Sequence, residues 1–232
     1  MAEQLAVIFD VDGVLVDSYA AHLESWRALA RERGCHEMTE QEFRDTFGRT
    51  SREIIAELWT EGGPSPELIR ELDDRKEQLF REMLRADFRA MPGVRELIDS
   101  LLAAGFVIAA GSSGPPDNVL LVLEQLQRRE SFSAIVTGVD VQRGKPEPEV
   151  FQRCAERLGV PARNCAVIED ARVGIEAANR AGMLSIGLAA PPRTVSELQD
   201  ADQVVESHAQ LTPAEIARWI KGRQVGAVQE RA

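Results

Sequence analysis

The chain has 232 residues, of which 38 are Asp or Glu and 27 are Lys or Arg, so its formal net charge is −11. This acidic surplus argues against a protein whose main partner is nucleic acid or an anionic membrane, because both require a positively charged face. Hydrophobic residues make up 44% of the chain, which is typical of a globular protein with a proper core and excludes disorder throughout.

No targeting or membrane-spanning segment is predicted. The N-terminus has an acid at Glu3 and an apolar run of only five residues, whereas a signal-peptide core has roughly 7–15. No run approaches the roughly 20 apolar residues of a membrane span. Because the three cysteines lie in no metal-binding spacing, we predict a cytoplasmic protein with neither a disulfide framework nor a zinc site.

The first predicted strand, Leu5–Phe9, is followed by an insertion that is helical throughout. No strand-like run occurs in residues 19–88, and breakers at Gly34, Gly48 and Gly62-Gly63-Pro64 separate the helical patterns. The predicted helices are Ala20–Arg33, Glu40–Thr46, Ser51–Trp59 and Pro66–Leu84. We interpret residues 19–88 as an α-helical cap domain placed over the carboxyl edge of a sheet.

After the insertion, apolar runs typical of buried strands alternate with helical patterns. The predicted strands are Phe106–Ala110, Ala134–Thr137, Cys165–Ile168 and Leu184–Leu188. The predicted helices are Pro92–Ala104, Asp117–Arg128, Glu147–Leu158 and Val173–Ala181. This alternation predicts an α/β fold with a Rossmann-like, doubly wound parallel sheet. The core domain would comprise residues 1–18 and 89–221, and residues 222–232 would form a flexible tail.

Polar side chains follow three of these strands, where each strand ends. Asp10 and Asp12 follow the first, Ser112 a later one and Glu169-Asp170 the fourth, while Lys145 precedes a helix. Carboxyl ends of parallel strands meet at one edge of the sheet, where ligands bind, so we expect these groups to converge. By itself, the Asp-x-Asp-Gly sequence would fit a solvated turn equally well.

The charge of this predicted site calls for a cation. Four carboxylates near one ammonium would either retain protons or require a positive ion. Mg²⁺ suits such oxygen ligands, because it binds one or two carboxylates together with waters and substrate phosphate. Mg²⁺ and Lys145 together could then receive a dianionic phosphoryl group.

Four motifs in this order resemble those of the haloacid dehalogenase superfamily, phosphotransferases with an aspartate nucleophile. They are Asp10-Val11-Asp12-Gly13-Val14, Ser112, Lys145 in Gly-Lys-Pro, and Glu169-Asp170. With the inserted helices, the chain looks like the branch that contains β-phosphoglucomutases and phosphoglycolate phosphatases. A carboxylate two positions after the nucleophile favours phosphate-ester chemistry within that superfamily.

The resemblance implies a role for each motif residue. Asp10 would be the nucleophile that forms an aspartyl-phosphate, and Asp12 the general acid and then base. Ser112 and Lys145 would hold the phosphoryl oxygens, with Ser113 beside them in contact with substrate. Mg²⁺ would be bound by Asp10, the backbone carbonyl of Asp12, and Asp170, with Glu169 close by.

Substrate choice is expected to depend on the cap. Its candidate substrate-binding residues are His22, Arg49, Arg52 and Lys76. A guanidinium could clamp an anionic group of the substrate, although an ordinary exposed arginine fits each position as well. His22 could equally be a helix-surface histidine, and Lys76 could belong to a solvated helix face with ion pairs.

The sequence therefore predicts a Mg²⁺-dependent phosphatase of a small phosphorylated metabolite, such as a sugar phosphate or a phosphoglycolate-like compound. A β-phosphoglucomutase-like mutase is the alternative, weakened by Gly114-Pro115 where those mutases have a serine and a lysine. A non-catalytic module that binds a phosphorylated metabolite is a remote third possibility. No nucleic-acid or membrane partner is expected, and no pattern indicates an oligomeric state.

Overall fold

A computed structural model describes residues 3–46, 50–58 and 64–229. The chain divides into two compact units, one made of Met1–Val16 and Ala90–Ala232, the other of Asp17–Arg89. The helices are, in chain order, α1 (Tyr19–Arg33), α2 (Glu40–Asp45), α3 (Ser51–Leu58), α4 (Pro66–Ala86), α5 (Val94–Ala103), α6 (Pro116–Gln125), α7 (Glu149–Leu158), α8 (Arg172–Arg180) and α9 (Pro213–Gln229).

A six-stranded parallel sheet forms the centre of the first unit. Its strands are β1 (Ala6–Phe9), β2 (Val107–Gly111), β3 (Ala134–Val136), β4 (Cys165–Glu169), β5 (Leu184–Leu188) and β6 (Gln203–Val205). They lie in the order β3-β2-β1-β4-β5-β6, which is that of a doubly wound, Rossmann-like sheet. The predicted α/β fold class is confirmed.

Every residue of β1, β4 and β5 is buried, as expected of parallel strands covered on both faces. On one face, Ile8 and Val167 join a core cluster with Phe151 of α7 and Ala178 of α8. Helix α5 packs against β2, and α9 packs against β4 and β5. Apolar burial on both faces therefore fixes the sheet between layers of helices.

Two elements of the first unit were missed by the sequence prediction. Strand β6 has three residues, two of them only partly buried, so it gives no continuous apolar run. Helix α9 begins at Pro213 and buries Ile216 and Ile220. It continues to Gln229, so the segment predicted to be a flexible tail is helical as far as Gln229.

The second unit consists, over its described residues, of helices α1 to α4. Helix α1 packs along α4, and α3 also packs on α4. Their shared core contains Leu23, Trp26, Ile55, Leu72 and Leu79. Among the described residues of the whole chain, none of the helices combines the length and apolar character needed to cross a membrane.

The register of the sheet places the segments that follow β1, β2 and β4 side by side at its carboxyl edge. Phe9 pairs with Ala110 of β2 on one side and with Ile168 of β4 on the other. The residues that follow, Asp10, Gly111 and Glu169, therefore begin at the same edge. Between β1 and β4 the strand order reverses direction, because β2 and β3 lie on the opposite side of β1. Open α/β sheets bind ligands at such a switch point.

Candidate active site

Lys145 connects two carboxylates at the switch point. Its Nζ atom donates to Oδ1 of Asp10 at 2.5 Å and to Oε1 of Glu169 at 2.8 Å. The lysine side chain is 6% exposed, and Nζ lies 4.8 Å from the ring centroid of Phe151. Burial alone would lower the pKa of Lys145, but the two carboxylates raise it above its ordinary value. Lys145 is therefore a buried, protonated ammonium.

The segment that carries Lys145 is held by a carboxylate of α7. Glu149 accepts the backbone N–H groups of Gln142 and Arg143 at 3.0 and 3.1 Å. Arg153, one turn further along the helix, donates to the other oxygen of Glu149. These bonds fix the irregular backbone that precedes the lysine.

Glu169, the last residue of β4, uses both carboxylate oxygens. Oε1 accepts from Lys145, and Oε2 accepts the backbone N–H of Ala171 at 2.6 Å. Helix α8 passes so close that a Cβ at Gly174 would lie 1.8 Å from Oε1. Only glycine leaves room for this carboxylate, so the side chain of Glu169 is held by its surroundings.

Asp170 lies between the loop that follows β1 and Arg193, which comes after β5. Gly13 has φ +74°, and a Cβ there would come 2.3 Å from Oδ2 of Asp170. Arg193 donates from Nε to the same Oδ2 atom at 3.0 Å, and each of the two side chains is 12% exposed. The buried carboxylate thus has a guanidinium partner from the chain itself.

Asp10, Glu169 and Asp170 form a buried group whose ligand oxygens lie within 4.8 Å of one another. Burial raises the pKa of Asp10 well above its ordinary value, an effect that Lys145 opposes and the neighbouring carboxylates increase. Burial also raises the pKa of Asp170 to about 6, although Arg193 lowers it. The three acids outweigh the two cations. An all-oxygen donor set with surplus negative charge fits a hard divalent cation such as Mg²⁺.

The remaining predicted residues of this unit lie near the same edge. Ser112 is buried, and its Oγ atom accepts the backbone N–H of Gly114 at 2.9 Å, whereas Ser113 is exposed. Asp12 is half-buried in the loop after β1. Its carboxylate does not belong to the group of three acids found among the described residues, although the adjacent Gly13 backbone approaches Asp170.

In the helical unit, His22 and Lys76 contact each other. Nζ of Lys76 lies 3.0 Å from Nδ1 of His22 and donates to Oε1 of Glu77 at 2.9 Å. His22 stacks on Phe80 with 3.9 Å between ring centroids. Lys76 is 2% exposed, so it is not part of a solvated helix face.

Glu77 completes this group of the helical unit. Burial alone would raise its pKa, but Lys76, His22 and the hydroxyl of Ser51 lower the pKa of Glu77 to about 2. Arg52 is exposed and donates to Oδ2 of Asp73 at 2.7 Å. Arg49 lies outside the described residues. The two candidate substrate-binding cations that the structure describes, Arg52 and Lys76, therefore have carboxylate partners within their own unit.

The chain is thus a Rossmann-like α/β protein whose buried group of titratable side chains lies at the carboxyl edge of the sheet, where such folds bind ligands. The family profile described as haloacid dehalogenase-like hydrolase matches residues 7–188. The chain belongs to this family, as its four motifs indicated.

Relatives over nearly the whole length act on phosphorylated compounds. A phosphorylated carbohydrates phosphatase of Thermotoga maritima is 31% identical over 93% of this chain and 98% of its own. A β-phosphoglucomutase of Bacillus subtilis is 30% identical over 89% of this chain and 91% of its own. The crystal structure of β-phosphoglucomutase from Clostridium difficile matches with a TM-score of 0.84 and 27% identity, covering 96% of this chain and 99% of that one.

Sequence reasoning missed Arg193 and Glu149. Arg193 belongs to no recognised motif, but it lies five residues after β5, so a search of every strand's C-terminal loop would have included it. Glu149 acts on backbone groups six and seven residues earlier in the chain. No spacing rule for regular elements indicates such a contact.

Proposed function

We propose that this enzyme is a Mg²⁺-dependent phosphatase of small phosphorylated sugars that transfers the phosphoryl group first to Asp10 and then to water. The observation that carries the proposal is the position of Lys145 between Asp10 and Glu169 at the switch point. A buried carboxylate with one oxygen oriented by an ammonium has its other oxygen available as a nucleophile.

The other residues support the transfer in separate ways. The ammonium of Lys145 offsets charge on the phosphoryl oxygens, and Ser112 can donate its hydroxyl proton to one of them. Asp12 protonates the leaving oxygen and then takes a proton from the attacking water. This division of roles suits two carboxylates in different environments, because Asp10 is buried and Asp12 is half-buried.

Asp10, Asp170 and the backbone carbonyl of Asp12 would hold Mg²⁺, which when bound offsets negative charge on the phosphoryl group. Glu169 has both oxygens in hydrogen bonds within the chain, so we assign it to orienting Lys145. The Mg²⁺ site is supported by the oxygen donor set, by the burial of the three acids and by the close approach of Gly13 to Asp170.

A β-phosphoglucomutase-like mutase is the second candidate, favoured by the relatives of that name. A mutase must hold a second phosphate while its intermediate reorients, which requires cations with charge to spare. Arg52 is paired with Asp73 and Lys76 with Glu77. These carboxylates reduce the positive charge that the described cap residues can offer, so we place hydrolysis first.

Two assays test the proposal. Phosphate release from a panel of hexose, pentose and hexitol phosphates should require Mg²⁺ and stop with EDTA; no turnover of any compound, p-nitrophenyl phosphate included, would contradict it. With β-glucose 1-phosphate and catalytic β-glucose 1,6-bisphosphate, phosphate should form faster than glucose 6-phosphate. The opposite order would establish the mutase.

A further inference from the structure

Arg193 is a cation of the site that belongs to none of the four motifs. Its Nε atom lies 3.0 Å from Oδ2 of Asp170, and both side chains are 12% exposed. Charges at this distance and depth interact strongly, because little water screens them. Asp170 is also one of the proposed Mg²⁺ ligands, so a guanidinium and a metal ion attract the same carboxylate.

We infer that Arg193 is a built-in counter-charge of the metal site: it stabilises Asp170 in the metal-free enzyme and weakens the attraction of that carboxylate for Mg²⁺. The inference rests on the proposed function, since it takes Asp170 as a ligand. It adds a residue that sets how much Mg²⁺ the enzyme needs.

Charge balance supports this role. With all three carboxyls ionised, as a bound metal ion requires, the buried acids and Lys145 alone would carry two net negative charges, and Arg193 reduces this surplus to one. With a divalent ion bound, the group then has a net positive charge. Such a site favours a phosphoryl dianion, whereas the same site without Arg193 would be neutral. Arg193 thus orients Asp170 and sets the net charge of the site, but it takes no part in the proposed phosphoryl transfer itself.

The counter-charge has opposite effects on two measurable quantities. Removing it leaves a buried carboxylate without its partner, which lowers stability when no metal is present. It also removes a repulsion between two cations, which tightens Mg²⁺ binding. A purely structural arginine would lower stability equally with and without Mg²⁺ and would leave the dissociation constant unchanged.

The test is calorimetric titration of Mg²⁺ into metal-free protein, with thermal unfolding in EDTA and in saturating Mg²⁺. Arg193→Gln should lower the Mg²⁺ dissociation constant on the order of tenfold, lower Tm in EDTA and enlarge the rise in Tm on adding Mg²⁺. Arg193→Lys keeps the charge and should bind Mg²⁺ within about threefold of the unmodified enzyme.

Arg163→Gln is the matched control, because it makes the same change in net charge at an exposed ion pair with Glu3; it should leave Mg²⁺ binding unchanged. Unchanged or weaker Mg²⁺ binding by Arg193→Gln overturns the inference. If that variant does not fold in EDTA, Mg²⁺ should restore folding, and failure to do so also overturns it.

The proposed function and the inference fail differently in this experiment. The proposed metal site is contradicted if the unmodified enzyme binds no Mg²⁺, or if the Asp170→Asn variant binds Mg²⁺ as tightly as the unmodified enzyme does. An unmodified enzyme that binds Mg²⁺ through Asp170, with no change in Arg193→Gln, contradicts the counter-charge alone.

Discussion

Lys145 donates a 2.5 Å hydrogen bond to Asp10, 135 positions earlier in the chain, and both side chains are less than a tenth exposed. Two features of the fold help to hold the residues of this contact in place. The sheet register ends β1 beside β4, and Glu149 fixes the irregular segment before Lys145. The contact is therefore a property of the whole first unit.

Replacing Lys145 by Met should damage both activity and stability. Asp10 and Glu169 would remain as buried like charges without their shared cation, so the free energy of unfolding should fall by about 3 kcal/mol. Phosphatase kcat/KM should fall by at least about 10²-fold. Activity and urea unfolding measure both effects. Lys221→Met, at an exposed position of α9, is the control, and equal behaviour of the two variants would refute a special role for Lys145.

Gly174→Ala should displace the carboxylate of Glu169. A Cβ at this position would lie 1.8 Å from Oε1, so the side chain must move and Lys145 loses one of its partners. We expect a loss of about 2 kcal/mol in stability and at least about tenfold in kcat. Gly222→Ala makes the same change in helix α9, where an added Cβ would have nothing within 4 Å. This variant should gain up to about 1 kcal/mol in the free energy of unfolding. Similar unfolding midpoints for both variants would count against the close packing of α8 on Glu169.

Gly13→Ala tests the close approach of the loop that follows β1 to Asp170. Both Gly13 (φ +74°) and Gly34 (φ +65°) have left-handed backbones, but only a Cβ at Gly13 would meet another group, Oδ2 of Asp170 at 2.3 Å. Each alanine should cost about 1 kcal/mol in backbone strain. Only Gly13→Ala should also abolish the rise in Tm that Mg²⁺ produces. A full Mg²⁺ response in Gly13→Ala would show that the metal does not need this arrangement.

Acid should destabilise the first unit through His208. The ring is 1% exposed, and its Nε2 atom has no hydrogen-bond partner in the described part of the chain. Burial lowers the pKa of His208 to about 4 from 6.5, although Glu96 opposes the shift. The unfolded chain therefore takes up this proton first as pH falls. Stability from the neutral ring is complete above pH 6.5 and is lost as pH falls toward 4, by about 3 kcal/mol in total.

Urea unfolding at several pH values measures this loss. His208→Gln cannot take up a proton, so its stability should fall less between pH 6.5 and pH 4 than that of the unmodified protein. His36→Gln is the control, because the side chain of His36 is 72% exposed. If His208→Gln and the unmodified protein have parallel pH profiles, the buried neutral histidine is not the cause.

The local pattern of apolar residues was sufficient to predict most strands of the sheet. The run Leu5–Phe9 and its counterparts are apolar on both faces, which distinguishes buried parallel strands from other elements. The convergence of Asp10 and Glu169 then followed from the common edge of such strands. Strand β6 gave no such signal, because two of its three residues are partly exposed and it lies at the edge of the sheet.

Pairings across the fold could not be predicted. The partners of Arg193 and Arg52 depend on which loops and helices become neighbours, and a single sequence does not contain that information. Lys76 was expected on a helix surface or at substrate, but tertiary packing buries it between His22 and Glu77. The domain boundaries, the role of each site residue and a cytoplasmic location stay predictions.

The proposed role of Asp10 as acceptor of the phosphoryl group is tested by comparing Asp10→Asn with the unmodified enzyme in initial phosphate release at saturating Mg²⁺. An amide is a poor nucleophile of nearly the same shape, so the rate should fall by at least about 10³-fold while thermal unfolding still shows a folded protein. A folded Asp10→Asn enzyme that retains more than about a tenth of the rate would contradict the account.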